Sequence, residues 1–184
     1  DASLAYDDAC AILAWLAAEP WCDGNLGMIG LSWGGINALL AAERKPPGLK
    51  AVVATAFSYD RFSIGMGRKN GAILNENLAW VAACTGFTSR PPDPLVVGEG
   101  WREMWLARLN AMTEYAVTSI GQQRRNANWD KNRLHDPKAI EAAFCMFSGQ
   151  SDSNYAQTLP YLMEQLDSPR RATLGPWCHK YPHQ

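Results

Sequence analysis

The chain has 184 residues, 47% of them apolar and 19% charged, and a net charge of −1. That length holds one domain with a sizeable core, and so even a charge balance gives no electrostatic case for nucleic acid or an anionic membrane. No apolar run reaches the roughly 18 residues that a membrane span requires. The five cysteines (Cys10, Cys22, Cys84, Cys145, Cys178) are odd in number and lack Cys-x-x-Cys spacing, which argues against a zinc site and a disulfide framework. Their use leans towards a reducing, cytoplasmic compartment. Cys145 lies in an apolar run and is expected in the core. The sequence opens at Asp1 inside a helix-like run, so the natural N-terminus is expected to lie upstream.

Residues 7 to 19 are predicted helical, with Asp7 and Asp8 near the cap, Ile12, Leu13 and Leu16 on one face, and Pro20 as the stop. Asp23-Gly24-Asn25 is a turn, and Leu26 to Leu31 is a short apolar strand. The stretch Gly30-Leu31-Ser32-Trp33-Gly34-Gly35 follows, a Gly-x-Ser-x-Gly pattern between that strand and a helix reaching about Glu43. A serine on a turn this sharp has its hydroxyl pushed out at the C-terminal edge of the sheet. The flanking glycines are expected because the turn leaves no room for side chains. The bare string also occurs in ordinary strand-to-helix turns; the strand before it and the helix after it favour a nucleophile. A hydroxyl is a poor nucleophile at neutral pH, so Ser32 requires a histidine base and a carboxylate that orients the base.

Lys45-Pro46-Pro47-Gly48 breaks the helix, and Lys50 to Ala56 is a second strand. Strand, helix, strand with non-alternating apolar strands predicts parallel pairing. Residues 61 to 141 then change character and read as a helical insertion over the sheet. Trp101, Trp105, Leu109 and Met112 recur at helical spacing and predict one apolar helix face. Arg124, Arg125, Lys131 and Arg133 are interrupted by Asn126, Asn128 and Asp130 and read as a solvated helix face. Strand character returns at Ala143 to Phe147, a helix is expected over Tyr155 to Leu166, and Arg171 to Leu174 is a fourth strand. Three segments result: 1–60 as the nucleophile-bearing core, 61–141 as the insertion, and 142–184 as the rest of the core.

A serine turn draws its partners from the ends of later strands. Gly149-Gln150-Ser151-Asp152 follows the third strand, and Gly175-Pro176-Trp177-Cys178-His179 follows the fourth. The order Ser32, Asp152, His179 is the one a parallel α/β sheet brings together at one edge. Two alternatives concern the acid: Asp152 as a helix cap for the run after it, and Asp60, after the second strand, as the acid itself. His135, ahead of Asp136-Pro137, and His183 compete with His179.

At these residues the chain resembles the cocaine-esterase-like and Xaa-Pro dipeptidyl-peptidase-like serine hydrolases, over nearly its whole length. Ala14-Trp15-Leu16-Ala17 with Pro20-Trp21-Cys22-Asp23-Gly24 is similar to the family's helix and turn before the nucleophile, and Gly30 to Gly35 to its nucleophile motif. Asp60-Arg61-Phe62 and Leu74-Asn75-Glu76-Asn77-Leu78-Ala79-Trp80 resemble the lead-in to its cap. Arg90-Pro91-Pro92-Asp93-Pro94, Trp101-Arg102-Glu103-Met104-Trp105 and Arg124-Arg125-Asn126-Ala127-Asn128-Trp129 resemble its cap helices. Leu174 to His183 resembles its histidine motif, the most specific of these stretches. There is one departure. The family's Gly-Gly-Trp-x-Asp-Gly-Tyr pattern here reads Ser148-Gly149-Gln150-Ser151-Asp152-Ser153-Asn154-Tyr155, with the aspartate kept, Gln150 at the tryptophan position and the tyrosine shifted by one.

The resemblance implies an α/β-hydrolase fold with a helical cap and acyl transfer on a small ester or a short peptide or amide, with no cofactor and no metal. It implies that the backbone N–H of Trp33 serves an oxyanion hole. It also implies that a second donor, a tyrosine upstream of the serine strand, and a C-terminal jelly-roll domain lie outside this chain, which is expected to be a partial domain. A carboxylate such as Glu76 would serve a peptide substrate's free amine, although a charge on a helix surface is the plainer reading of it. A descendant that keeps the cleft for binding and has lost the chemistry is the alternative from another class. Oligomeric state is not legible in the sequence.

Overall fold

The computed structural model describes residues 2–184, which fall into two compact units: residues 2–65 with 126–184, and residues 66–125. The sequence had suggested boundaries at 61 and 141. The structure assigns 126–141 to the sheet-bearing unit, where Leu134 and Ile140 are buried in its core.

In that unit the elements run α1 (Ala2–Ala18), β1 (Leu26–Leu31), α2 (Trp33–Glu43), β2 (Leu49–Thr55) and, after the other unit, β3 (Ala143–Gly149), α6 (Thr158–Gln165) and β4 (Arg170–Gly175). The α1 helix starts earlier than expected because Ala2, Leu4 and Ala5 are strong helix formers. It stops just short of Pro20, which cannot continue a helix. The predicted helix over Tyr155 to Leu166 begins as a 3-10 turn, Tyr155–Gln157, and becomes α-helical only at Thr158.

The four strands are all parallel, in the order β1-β2-β3-β4. Register explains the core. Met28, Val52, Phe144 and Arg170 form one cross-strand row, and Gly30, Ala54, Met146 and Ala172 form another on the same face. The apolar members of these rows pack with Tyr6 and Leu13 of α1, Leu39 and Leu40 of α2, and Leu159 and Leu162 of α6. Each fully buried leucine of this kind stabilises the fold by about 1.5–3 kcal/mol.

The opposite face is different. Its central row is Ile29, Val53, Cys145 and Arg171, where Ile29 is 70% exposed and Val53 and Cys145 are half-buried. Cys145 is therefore not in the core as the apolar run suggested: alternation along β3 sends Phe144 and Met146 to the covered side and Cys145 to the open one. The strands are apolar on both faces, as parallel strands buried on both sides are, yet only one face is covered here. β1 is moreover an edge strand. Expressed by itself, the chain is expected to self-associate through this face, and Ile29→Lys to shift it towards monomer. Size-exclusion chromatography checks this; a monodisperse monomer of the unsubstituted chain would contradict it.

The second unit contains α3 (Glu76–Thr88), α4 (Trp101–Asn110) and α5 (Tyr115–Gly121), with a short antiparallel pairing of Arg68–Lys69 and Ala72–Ile73. Trp101, Trp105 and Leu109 do share a face of α4, but they are only half-buried, and Met112 lies past the helix end. A buried polar cluster holds this unit instead. The Arg68 guanidinium donates to the Ser119 carbonyl, to Ser119 Oγ (2.7 Å) and to the Gln122 carbonyl (3.1 Å), and Ser119 Oγ donates to Asn77 Oδ1 (2.7 Å). The basic cluster does not lie on one helix face. Asn126 accepts from the N–H groups of Asn128 and Trp129 and starts a helix of only four residues there, so Arg124 and Arg125 precede it and Lys131 and Arg133 follow it.

Candidate active site

Ser32 sits at the junction of β1 and α2 with φ 58° and ψ −117°. This is a positive φ that a residue with a side chain holds only under constraint, at a cost of about 1–3 kcal/mol. Two hydrogen bonds impose it. Ser32 N–H donates to the Thr55 carbonyl at 2.9 Å, continuing the β1–β2 ladder, while its own carbonyl accepts from Ile36 N–H at 3.0 Å, opening α2. The chain must turn from strand to helix within one residue, which lifts the side chain off the sheet edge.

The glycines around it have unequal duties. A Cβ on Gly30 would collide with the backbone of Gly34, and one on Gly35 would sit 2.8 Å from Phe57 Cβ. A Cβ on Gly34 would meet nothing. The expectation that both glycines of Gly-x-Ser-x-Gly are sterically required therefore holds for Gly30 and fails for Gly34. The close approach of α2 to the sheet passes through Gly35.

Asp152 and His179 come from the loops after β3 and β4. These loops are joined by hydrogen bonds from Gln150 N–H to the Gly175 carbonyl (2.8 Å) and from Ser151 N–H to the Trp177 carbonyl (3.2 Å). Gly149 permits this, since a Cβ there would overlap the Trp177 carbonyl. The result is a direct contact: His179 Nδ1 lies 2.9 Å from Asp152 Oδ2 and 3.0 Å from Oδ1. A carboxylate only accepts, so Nδ1 carries the proton and, in the neutral ring, Nε2 is left as the base. The Asp152 side chain is 3% exposed and that of His179 31%. The Asp152 carboxylate is thus shut away from water while the imidazole reaches the surface.

The rival residues are engaged elsewhere. Asp60 Oδ1 accepts from Phe62 N–H and Oδ2 from Ser63 Oγ, both at 3.0 Å, which makes it a local turn-former. His135 Nε2 is 2.7 Å from the Asp130 carbonyl, and the His183 ring stacks on Tyr181 at 5.8 Å. Glu76 lies in the first turn of α3, in the other unit, where a negative charge suits the helix dipole.

Two residues at the site were not singled out from the sequence. Tyr155 is 4% exposed, and its ring centroid is 5.5 Å from that of His179. Burial pushes its phenol up to about 12, opposed by the nearby Arg61 charge. Arg61 in turn lays its guanidinium 4.2 Å from the centre of the Trp33 ring. Among the described residues no hydrogen bond joins Ser32 to His179, and no three His, Cys, Asp or Glu side chains converge as a metal ion would require. The signal for Tyr155 was its place three residues after Asp152, on the same loop.

The model of the X-Pro dipeptidyl-peptidase (S15) family matches residues 4–181. The chain belongs to this family. It is also 36% identical to the cocaine esterase of Rhodococcus sp. (strain MB1 Bresler) over 86 residues, which is 45% of this chain and 15% of that protein. Among solved structures, a CocE/NonD family hydrolase from Staphylococcus aureus superposes with a TM-score of 0.70 at 15% identity, over 95% of this chain and 28% of that one. An α-amino acid ester hydrolase gives 0.60 at 19% identity, over 96% and 32%. These likenesses establish the α/β-hydrolase fold, and this S15-family chain spans less than a third of each of these relatives' lengths.

Proposed function

We propose that the protein carrying this chain is a serine hydrolase that transfers the acyl group of a small ester or short amide to water. Ser32 attacks the carbonyl carbon as His179 Nε2 takes its proton, and His179 then returns that proton to the leaving group. Asp152 holds Nδ1–H and stabilises the imidazolium formed at each transfer. The N–H of Trp33, in the first turn of α2 and free of helical partners, supports the oxyanion. The observation that carries this reading is the buried Asp152 carboxylate on His179 Nδ1 at 2.9 Å, in the same unit as a serine held at positive φ. A fluorophosphonate probe tests it by mass spectrometry of the labelled peptide. Label on Ser32 is expected, and its absence from an otherwise folded protein would favour a binding role for the cleft.

Ester substrates fit this site better than Xaa-Pro amides. An ester has the better leaving group and makes no demand for a subsite that holds a free amine, and the related Rhodococcus protein is an esterase by name. In side-by-side assays of the full-length protein, kcat/KM for a p-nitrophenyl ester is expected to exceed that for an Xaa-Pro p-nitroanilide. The reverse order would assign it to peptides.

A further inference from the structure

The ring of Tyr155 packs against that of His179, and nothing in the Ser32–His179–Asp152 scheme uses it. We propose that Tyr155 is a positioning residue for His179: its aromatic ring, and not its hydroxyl, fixes the plane of the imidazole and so aims Nε2 at the reacting atoms. This rests on the reading of Ser32 as the nucleophile and His179 as its base.

The Asp152 carboxylate does not fix that plane by itself. Nδ1 lies almost equally far from its two oxygens, 2.9 Å from Oδ2 and 3.0 Å from Oδ1. A contact at one atom of a ring holds that atom and leaves the ring to tilt about it. The His179 side chain is 31% exposed and sits on an irregular loop beyond β4, so neither full burial nor a regular element holds it. Tyr155 supplies the second restraint. Its centroid is 5.5 Å from that of the imidazole with 33° between the planes, within the range where two aromatic rings attract. A flat ring at that distance opposes the tilt that the carboxylate permits.

A restraint must itself be held, and Tyr155 is. It is 4% exposed and opens the 3-10 turn that leads into α6, where Thr158 Oγ1 donates to the Phe57 carbonyl at 2.9 Å. Between Asp152 and Tyr155 the chain passes through Ser153 at φ 43°, a left-handed turn. Two residues three apart thereby reach the same imidazole, Asp152 at the Nδ1 edge and Tyr155 through its ring. The phenol keeps its proton to about pH 12, so it takes no part in proton transfer at the pH where esters are hydrolysed enzymatically. The ring also suits the charge that His179 acquires when it takes the proton of Ser32. An aromatic ring within about 6 Å of a cation attracts it, which an aliphatic side chain does not.

The test compares Tyr155→Phe, which keeps the ring, with Tyr155→Leu, which removes it, in the full-length protein on p-nitrophenyl acetate. Misplacing a catalytic group by about 1 Å can cost roughly 10²-fold in rate. Tyr155→Leu is expected to lower kcat by roughly 10- to 100-fold with KM within about threefold, because His179 serves both half-reactions and does not hold the substrate. Fluorophosphonate labelling of Ser32 should slow by a similar factor. Tyr155→Phe should keep kcat and the labelling rate within about threefold. Thermal melting confirms that the proteins compared are folded, and Tyr155→Met replaces Tyr155→Leu if leucine unfolds the site. Three results would overturn the proposal: a loss in Tyr155→Phe equal to that in Tyr155→Leu, an unchanged kcat and labelling rate in a folded variant without the ring, or a rise in KM at unchanged kcat. Labelling of the unsubstituted protein separates the two ideas. An unlabelled Ser32 removes the nucleophile assignment itself, whereas a labelled Ser32 beside an unaffected Tyr155→Leu removes only the role of Tyr155.

Discussion

Ser32→Ala in the full-length protein is expected to lower kcat by something on the order of 10⁴ to 10⁶ while leaving the fold intact. The size of the loss follows from the scheme: without Oγ there is no acyl-enzyme, and only binding and oxyanion stabilisation remain to act on direct attack by water. Stability should change little. Alanine at φ 58° is strained much as serine is. Steady-state turnover of an activated ester, alongside thermal melting of both proteins, measures this. A loss of less than about tenfold would exclude Ser32 as the nucleophile.

The second large effect is expected at the acid. Asp152→Asn should lower kcat by roughly 10⁴, because an amide can present its NH₂ to Nδ1, force the ring proton onto Nε2 and remove the base. It also carries no charge with which to stabilise the imidazolium. Water cannot substitute, since the Asp152 side chain is 3% exposed. Asp60→Asn is the matched control: it perturbs a turn held through Phe62 N–H and Ser63 Oγ, and should cost stability of about 0.5–2 kcal/mol with little effect on chemistry. If Asp60→Asn abolished turnover and Asp152→Asn did not, the acid would have to be reassigned.

Much of the sheet was legible because its cues are local. Leu26 to Leu31 is bounded by a Gly-Asn turn and the serine turn, and the strand found ends at those residues. The second and fourth strands moved by a single residue at their ends, within the slack of any boundary. The insertion was harder. The spacing of Trp101, Trp105 and Leu109 correctly gave a common helix face, but periodicity reports which residues share a side and not what covers that side. The basic run from Arg124 to Arg133 misled because Asn126, counted as an interruption, is an N-cap that starts a new helix.

The sequence by itself determined the parallel sheet, the sharp serine turn, and the order in which Ser32, Asp152 and His179 reach one sheet edge. Each follows from short-range rules: apolar runs make strands, Gly and Pro punctuate them, and consecutive parallel strands present their loops on the same side. Only the tertiary structure decided the rest. It placed the Asp152 carboxylate on Nδ1 through a loop pairing that requires Gly149, showed that Gly35 rather than Gly34 bears the packing constraint, and brought Tyr155 to His179 and Arg61 to Trp33. These are contacts between residues far apart in the chain, fixed by how closely backbones approach, and no local pattern of residue types encodes that distance.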